Sequence, residues 1–443
     1  MENLNVYEKP VTLNNILKFA VPTIVMTVFM SFYTMVDGLF VSNLIGTNAL
    51  SAINLTAPII QLVTAVSTML ATGGSAVIMK KMGEHKTDEA KEDFTFLILI
   101  NVIVGIVMCI VGYLTMHQIF AGMNLSSDVE RYCVEYLSRY LAFTVPILLM
   151  NNFTLYMIAS EKANLSLACS VTGGVLNMVL DYVFIAGVDM GISGAAIATG
   201  LGYSVTAVVG LFVFSHKKSL LHFKKPVLRF KVLVSAATNG CSEMATALVT
   251  GIITMMFNWT MLHYVGEDGV AAVTIIMYVL MFVSSLYTGY SYGVAPMLSF
   301  YYGEQNHEKL KKLVAVSLKV ITFISVITVA ASFLLTKPLV SVFARLDNPV
   351  HALAVTGNRI CTVALFFIGF NIFASGMFTA LSNGVVSAVL AFSRSFVFML
   401  IAMIVLPLLL GVNGIWLATP AAELMALALS VFLFLKYRKR YGY

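Results

Sequence analysis

The chain has 443 residues, of which 59% are hydrophobic and 11% are charged. This balance excludes a soluble domain, because one core cannot bury so large an apolar fraction, and it indicates an integral membrane protein with many spans. The formal net charge is +6. We assign this charge to membrane orientation and not to nucleic-acid binding, since membrane proteins concentrate Lys and Arg on the cytoplasmic side.

Hydropathy and helix-breaking residues predict an all-α fold with twelve transmembrane helices. About 20 residues rising about 1.5 Å each cross the hydrocarbon core of a bilayer. An even number of spans places both termini on one side. The predicted spans are 13–41, 51–79, 94–116, 137–159, 164–187, 191–214, 233–260, 269–299, 313–335, 357–380, 385–409 and 413–436.

The first predicted helix contains an acidic residue, Asp37, inside an otherwise apolar run. A charge inside a span costs roughly 2.5 to 3.5 kcal/mol on insertion scales, so such a group usually faces a protein interior or a watery cavity. Tyr33 precedes it by one turn on the same helix face. Pro22 in this helix and Pro58 in the next interrupt the helical pattern and are predicted hinges.

A polar stripe follows the fifth predicted helix and includes Asn177 and Asp181, four residues apart on one face. Thr199 lies about two turns into the sixth helix. These residues and Asp37 all fall in the outer half of the predicted membrane, so they can meet in one pocket. Two carboxylates in a low-dielectric pocket must share a proton or a bound cation. The pattern therefore predicts a coupling site for H⁺ or Na⁺.

The second half of the chain repeats the first at an offset of 220 residues. Gly83-Glu84 returns as Gly303-Glu304, and Gly191-Ile192-Ser193-Gly194 returns as Gly411-Val412-Asn413-Gly414. Six helices per repeat keep both repeats in the same orientation, as in transporters that rock two bundles around a cavity. We predict an N-terminal six-helix lobe at 1–216, a basic cytoplasmic linker at 217–231 and a C-terminal six-helix lobe at 232–443.

Most of the 27 Lys and Arg lie at the termini or in loops on the same predicted side, so both termini are predicted to be cytoplasmic. At the 220-residue offset, Asp37, Asn177 and Asp181 map to apolar residues, which restricts the predicted cation site to the N-terminal lobe. The C-terminal lobe has buried acids of its own, Glu243 and Glu423. They are the candidate substrate contacts, together with the repeat-related pair Asn151 and Asn371.

The motifs of the opening segment resemble the MATE (multidrug and toxic compound extrusion) family. The resemblance rests on Val36-Asp37-Gly38-Leu39-Phe40-Val41-Ser42-Asn43-Leu44-Ile45-Gly46, on Ala57-Pro58 and on Gly83-Glu84. Asn177 with Asp181 and the stretch Gly194 to Thr199 extend it over nearly the whole chain. The sequence is similar to bacterial members of the family, and it resembles the MepA-like and DinF-like branches more than the NorM branch.

This resemblance implies the two-lobe, twelve-helix fold of the MOP superfamily and export of organic, often cationic, compounds against inward flow of H⁺ or Na⁺. The family's N-lobe cation ligands match Asp37, Asn177, Asp181 and Thr199, with the Ala195 carbonyl as a further ligand. The acidic residue that NorM-type members carry in the tenth helix has no obvious counterpart, and Asn371 is the nearest polar residue.

We therefore interpret the chain as a secondary antiporter of the bacterial cytoplasmic membrane that acts as a monomer on small organic substrates and is not an enzyme. It needs no cofactor beyond its coupling ion; Na⁺, if used, would bind at Asp37, Asn177, Asp181 and Thr199. Five scattered cysteines suggest neither a disulfide framework nor a metal site. One alternative is a flippase or exporter of a lipid-linked saccharide or other metabolite, although a phosphate-bearing cargo calls for more cavity Arg and Lys. An intramembrane enzyme or receptor is disfavoured, because no catalytic motif lies within the spans.

Overall fold

The structure is a computed structural model that describes the backbone of residues 6–44, 47–123 and 125–443. Side chains are described for the same residues except Val6, 35–44, Thr47, Asn48 and Leu50. The predicted cation ligand Asp37 therefore belongs to a described helix, but its side chain lies outside the described residues.

The described residues of the N-terminal half, 6–44, 47–123 and 125–215, form seven α-helices after a short 3₁₀ turn, Val6–Glu8. A π-helical turn, Tyr182–Gly187, extends the sixth helix. The helices are α1 Leu13–Leu44, α2 Thr47–Gly83, α3 Thr87–Ala121, α4 Ser127–Ala142, α5 Thr144–Ala159, α6 Ala163–Asp181 and α7 Gly191–Ser215.

The C-terminal half, residues 230–443, repeats this order with nine helical pieces. A second π-helical turn, Ser393–Phe398, joins two of them. The helices are α8 Phe230–Tyr264, α9 Glu267–Gly303, α10 His307–Leu334, α11 Thr336–Ser341, α12 Pro349–Cys361, α13 Ala364–Ala380, α14 Gly384–Phe392, α15 Met399–Leu410 and α16 Val412–Tyr441.

Among the described residues, ten helical spans are long and apolar enough to cross a membrane, and two bent pairs bring the number to twelve. The bent pairs are α4 with α5 and α12 with α13, each with an angle of 52°. Sequence analysis began these two spans at 137 and 357, which is too late, since α4 starts at Ser127 and α12 at Pro349. Charged residues such as Asp128 and Arg131 lower the hydropathy of α4 and hide its first turns.

The two halves meet at helix crossings so close that only glycine fits. A Cβ on Gly83 of α2 would lie 2.0 Å from the backbone oxygen of Phe300 on α9. A Cβ on Gly303 of α9 would lie 2.0 Å from the backbone oxygen of Lys80 on α2. Adding 220 to the residue numbers relates Gly83 to Gly303 and Lys80 to Phe300, so the two contacts are equivalent under the internal repeat. The repeat of the sequence is therefore also a symmetry of the packing.

A second close crossing joins α2 to α8. A Cβ on Gly73 would lie 1.9 Å from the backbone oxygen of Ala236, and a Cβ on Gly240 would lie 1.9 Å from that of Met69. We call these crossings, with that of Gly83 and Gly303, the glycine seam. The crossing of Gly83 and Gly303 lies at the end of the bundle that carries both chain ends. There Tyr7 of the N-terminal turn stacks on Phe300, and Tyr302 contacts Tyr441 near the C-terminus. The halves are therefore packed backbone to backbone toward the end that carries the termini.

Candidate functional site

A buried polar cluster lies between α1, α6 and α7. Asn177 and Asp181 on α6 are 1% and 0% exposed, and Tyr33 on α1 is 3% exposed. The network of donors and acceptors fixes the orientation of the Asn177 amide. Its oxygen accepts from the backbone N–H of Thr199 at 2.8 Å, and its nitrogen donates to Tyr33 Oη at 2.7 Å and to Asp181 Oδ2 at 3.3 Å. One amide thus connects three helices.

Thr199 and Ala195 complete the α7 side of this cluster. The Thr199 hydroxyl oxygen lies 3.3 Å from the Asn177 amide group. The same hydroxyl donates to the backbone oxygen of Ala195 at 3.0 Å. The Ala195 carbonyl is therefore in contact with the cluster through Thr199. We call Tyr33, Asn177, Asp181 and Thr199 the N-half cluster.

Glycines set the close approach of the helices that carry the cluster. A Cβ on Gly173 of α6 would lie 2.5 Å from the backbone oxygen of Gly202 on α7. A Cβ on Gly174 would lie 2.7 Å from the Phe29 ring on α1. Because these two neighbours on α6 permit contact on both sides, Asn177, one turn later, reaches α1 and α7 at once. The role of the cluster in binding a cation stays a prediction, as does that of Asp37.

A cavity of about 500 Å³ lies between α2, α8, α9, α13 and α16. The surface of its lining is mainly apolar, although many of the lining residues carry a hydroxyl group. The hydroxyl-bearing residues are Thr72, Ser75, Thr246, Thr250, Thr254, Tyr278, Ser284, Thr288, Ser291, Tyr292, Ser299, Ser375, Thr379, Ser395 and Thr419. Thr246, Thr250 and Thr254 recur every four residues on α8, and this spacing was a sequence signal that our reading of the C-terminal half missed.

Three charged residues line the cavity within the described part of the chain: Glu243, Arg394 and Glu423. Arg394 lies in the π-helical turn Ser393–Phe398 and its Nε donates to Glu423 Oε1 at 2.8 Å and Oε2 at 3.1 Å. Sequence analysis gave Arg394 no role in a site. An Arg within a span needs an acidic partner, and Glu243 and Glu423 were the available acids, so the pair could have been sought directly.

Two further polar residues hold Glu423 in place. Asn371 on α13 donates from Nδ2 to Glu423 Oε2 at 2.8 Å and to the Glu423 backbone oxygen at 2.9 Å. Ser430, two turns later on α16, donates to Asn371 Oδ1 at 2.9 Å. The Glu423 carboxylate is therefore bonded on both oxygens before any ligand arrives.

The other residues that sequence analysis named as substrate contacts differ in position. Glu243 on α8 lines the cavity and has no ion pair within 4 Å among the described residues. Asn371 supports Glu423 but is not part of the lining. Asn151 also lies outside the lining, and its Nδ2 donates to Ser67 Oγ at a distance of 3.0 Å. Pro22 and Pro58 lie inside α1 and α2, where a hinge function stays a prediction.

Long apolar helices around an internal, hydroxyl-lined cavity define a multi-pass membrane protein. The chain belongs to the MatE family, whose model matches residues 22–183 and again residues 244–405. Curated relatives are similar over nearly their full length. The multidrug export protein MepA of Staphylococcus saprophyticus is 21% identical over 98% of this chain and 96% of the relative. Its namesake in Staphylococcus haemolyticus is 21% identical over 99% and 97%.

Solved structures have the same fold. A crystal structure of MATE in complex with MaL6 has a TM-score of 0.93 at 22% identity and covers 100% of this chain and 99% of its own. The outward-facing conformation of a multidrug resistance MATE family transporter of the MOP superfamily has a TM-score of 0.92 at 22% identity, with 100% and 98% covered.

Proposed function

We propose that the protein is a secondary active antiporter that exports small organic compounds, with cationic amphiphiles as one class, in exchange for H⁺ or Na⁺. The observation that carries the proposal is the cavity of about 500 Å³ in a MatE-family chain that also holds the buried N-half cluster, and whose relatives, matched over nearly their full length, are named multidrug export proteins. A cavity of this size suits a drug-sized ligand.

In this mechanism the coupling ion acts at the N-half cluster and at Asp37. Asp181 is in contact with Asn177, which in turn reaches Tyr33 on α1, so a change of charge at Asp181 alters bonds to α1. Nearer the start of α1, the Thr27 hydroxyl donates to the backbone oxygen of Ser285 on α9 at 2.8 Å. The neighbouring Ser284 lines the cavity. Helix α1 therefore contacts both the N-half cluster and the part of α9 that lines the cavity.

Exchange requires that ion and substrate favour different arrangements of the two halves. We propose that a proton or Na⁺ at Asp37 and Asp181 favours one arrangement and that substrate in the cavity favours the other. The glycine seam closes the bundle toward the termini, which fits a state that receives ions from the opposite side.

The remaining details of the proposal concern organisation. The two matches of the family model support an N-terminal lobe at 1–216, a linker at 217–231 and a C-terminal lobe at 232–443. We place the protein in the bacterial cytoplasmic membrane as a monomer, and its distribution of Lys and Arg supports cytoplasmic termini. A lipid-linked saccharide is a weaker candidate cargo, because Arg394 is the single cation that lines the cavity among the described residues.

The test is efflux of ethidium from drug-sensitive bacteria that express the wild type, Asp37→Asn or Asp181→Asn. We expect the wild type to export the dye and both variants to lose export, with membrane expression retained. Asp128→Asn, at an exposed position on α4, is the matched control and should behave as wild type. Replacing Na⁺ by K⁺ then separates Na⁺ from H⁺ coupling. Normal efflux by both variants would refute the coupling mechanism, and no efflux by the wild type would refute the proposed cargo class.

A further inference from the structure

We propose that the cavity holds a built subsite for an organic carboxylate at Arg394, opposed by Glu243 for a positive group, so that amphoteric compounds are a preferred ligand class. This inference rests on the proposed function only in taking the cavity as the place where cargo binds. The chemistry follows from how the three charged residues of the lining are bonded.

Arg394 uses one edge of its guanidinium group and leaves the other edge to the cavity. Nε donates to both oxygens of Glu423, at 2.8 and 3.1 Å. No hydrogen bond or ion pair from its two terminal nitrogens is found among the described residues, and 19% of the side chain is exposed. A guanidinium edge with two N–H groups binds a carboxylate through two parallel hydrogen bonds. The free edge of Arg394 is therefore a carboxylate-binding fork.

The fork is held in place before a ligand binds. Glu423 is 7% exposed in its side chain and is anchored by Asn371, which Ser430 holds in turn. A ligand carboxylate does not need to displace Glu423, because it would use the nitrogens that Glu423 leaves free. Preorganisation of this kind lowers the entropy lost on binding.

The remaining acid of the lining, Glu243, is the partner that we assign to a positively charged group of the ligand. Arg394 and Glu423 pair with each other, so Glu243 is the acid of the described lining that is left without an ion pair. A purely cationic ligand leaves the fork of Arg394 without an acceptor, and a purely anionic ligand meets Glu243 as a like charge. A compound with one group of each sign matches both, and such charge matching is worth more inside a protein cavity than in bulk water.

The test compares two dyes that differ at one group. Rhodamine 110 has a free carboxylate beside its cationic ring system, and rhodamine 123 is its methyl ester. Binding to purified protein in detergent is measured by fluorescence polarisation. The main variant is the double substitution Arg394→Gln with Glu423→Gln, because it removes the fork without leaving a buried carboxylate unpaired.

We expect the double variant to weaken binding of rhodamine 110 about tenfold or more, as for a lost charge-assisted hydrogen bond, and to leave rhodamine 123 nearly unchanged. Glu243→Gln should weaken both dyes, since both carry the positive ring system. Arg345→Gln, at an exposed position after α11, should change neither. If the double variant does not fold, Arg394→Lys keeps the pair with Glu423 but lacks the fork, and the same selective loss is expected.

Equal weakening of both dyes, unchanged discrimination between them, or no binding of either dye by the wild type would overturn the subsite. Ethidium efflux by the wild type is scored separately. Efflux with unchanged dye discrimination would overturn this inference alone, whereas selective loss of rhodamine 110 binding without ethidium efflux would support the subsite and overturn the proposed cargo class.

Discussion

Asp93 on α3 and Arg229, the residue that precedes α8, form an ion pair in which Nη1 lies 2.8 Å from Oδ1. Asp93 is fully buried and also bonds to Lys81 on α2. The second terminal nitrogen of Arg229 lies 2.7 Å from Glu92. These bonds raise the pKa of the Arg229 guanidinium, with the hydrogen bond to Asp93 as the main cause. The segment between the two halves is thereby attached to the start of α3.

Asp93→Asn should lower the free energy of unfolding by about 1 to 3 kcal/mol, because two cations lose the buried carboxylate that both of them bind. The measurement is thermal unfolding of purified protein in detergent. Asp88→Asn is the control, since Asp88 pairs with Lys224 at 3.2 Å but its side chain is 81% exposed. Its melting temperature should match the wild type. Equal melting temperatures for all three proteins would contradict the buried pair.

Gly303→Ala should shift the protein away from the arrangement with a closed glycine seam. The new Cβ would lie 2.0 Å from the backbone oxygen of Lys80, and backbone cannot rotate aside as a side chain does. A cysteine placed at Thr379 in the cavity, with the five native cysteines replaced, reports access from the side of the termini. We expect labelling by a membrane-impermeant thiol reagent to become about tenfold faster, which corresponds to about 1.4 kcal/mol.

Gly251→Ala is the matched control for this experiment, because nothing lies within 4 Å of a Cβ at Gly251 on α8. Its labelling rate should equal that of the unsubstituted reporter. A rate in Gly303→Ala that does not exceed the rate in Gly251→Ala would show that the seam is not what closes the bundle on this side.

The sequence predicted which residues repeat but not what they touch. The 220-residue offset identified Gly83 with Gly303, yet the partners Phe300 and Lys80 became evident only from the crossing of α2 and α9. Helical spacing likewise placed Asn177 and Asp181 on one face. It did not indicate that the Asn177 amide bonds at once to Tyr33, Asp181 and Thr199, since that depends on how closely α1, α6 and α7 approach.

The C-terminal half was harder to predict for a physical reason. Arg394 and Glu423 belong to neighbouring helices and are brought together by packing that no short-range pattern encodes. The third predicted span, 94–116, begins one residue after Asp93, because the charge of Asp93 lowers the local hydropathy. The structure instead buries it within α3, where Lys81 and Arg229 neutralise it.

Asn177→Ala should slow ethidium efflux at least about tenfold while the protein remains folded. Without the amide, Tyr33 on α1 loses its bond to the segment that carries Asp181, so the charge state of Asp181 no longer reaches α1 through it. Efflux is measured beside Asn14→Ala, an exposed residue of α1 that should export the dye normally. Wild-type efflux by Asn177→Ala would exclude the amide from coupling.

Tyr7 links the N-terminal turn to both halves and should make stability depend on alkaline pH. Its hydroxyl donates to the backbone oxygen of Ala159 at 2.6 Å, and its ring stacks on Phe300 at 4.9 Å between centroids. Burial, and then the charge of Glu161, raise the pKa of Tyr7 well above its usual value. Below about pH 10 the phenol is protonated in both the folded and the unfolded chain, so it adds no pH dependence there.

Above about pH 10 the unfolded chain releases this proton and the folded chain keeps it, so stability falls as pH rises, by up to about 1.4 kcal/mol per pH unit. Tyr7→Phe should be less stable than the wild type by about 1 kcal/mol at pH 7.5, through the lost hydrogen bond, and this difference should close toward pH 11. Thermal unfolding across pH 7.5 to 11 measures it, with Tyr182→Phe, at an exposed position, as the control. A gap between wild type and Tyr7→Phe that stays constant with pH would contradict the burial of a protonated phenol.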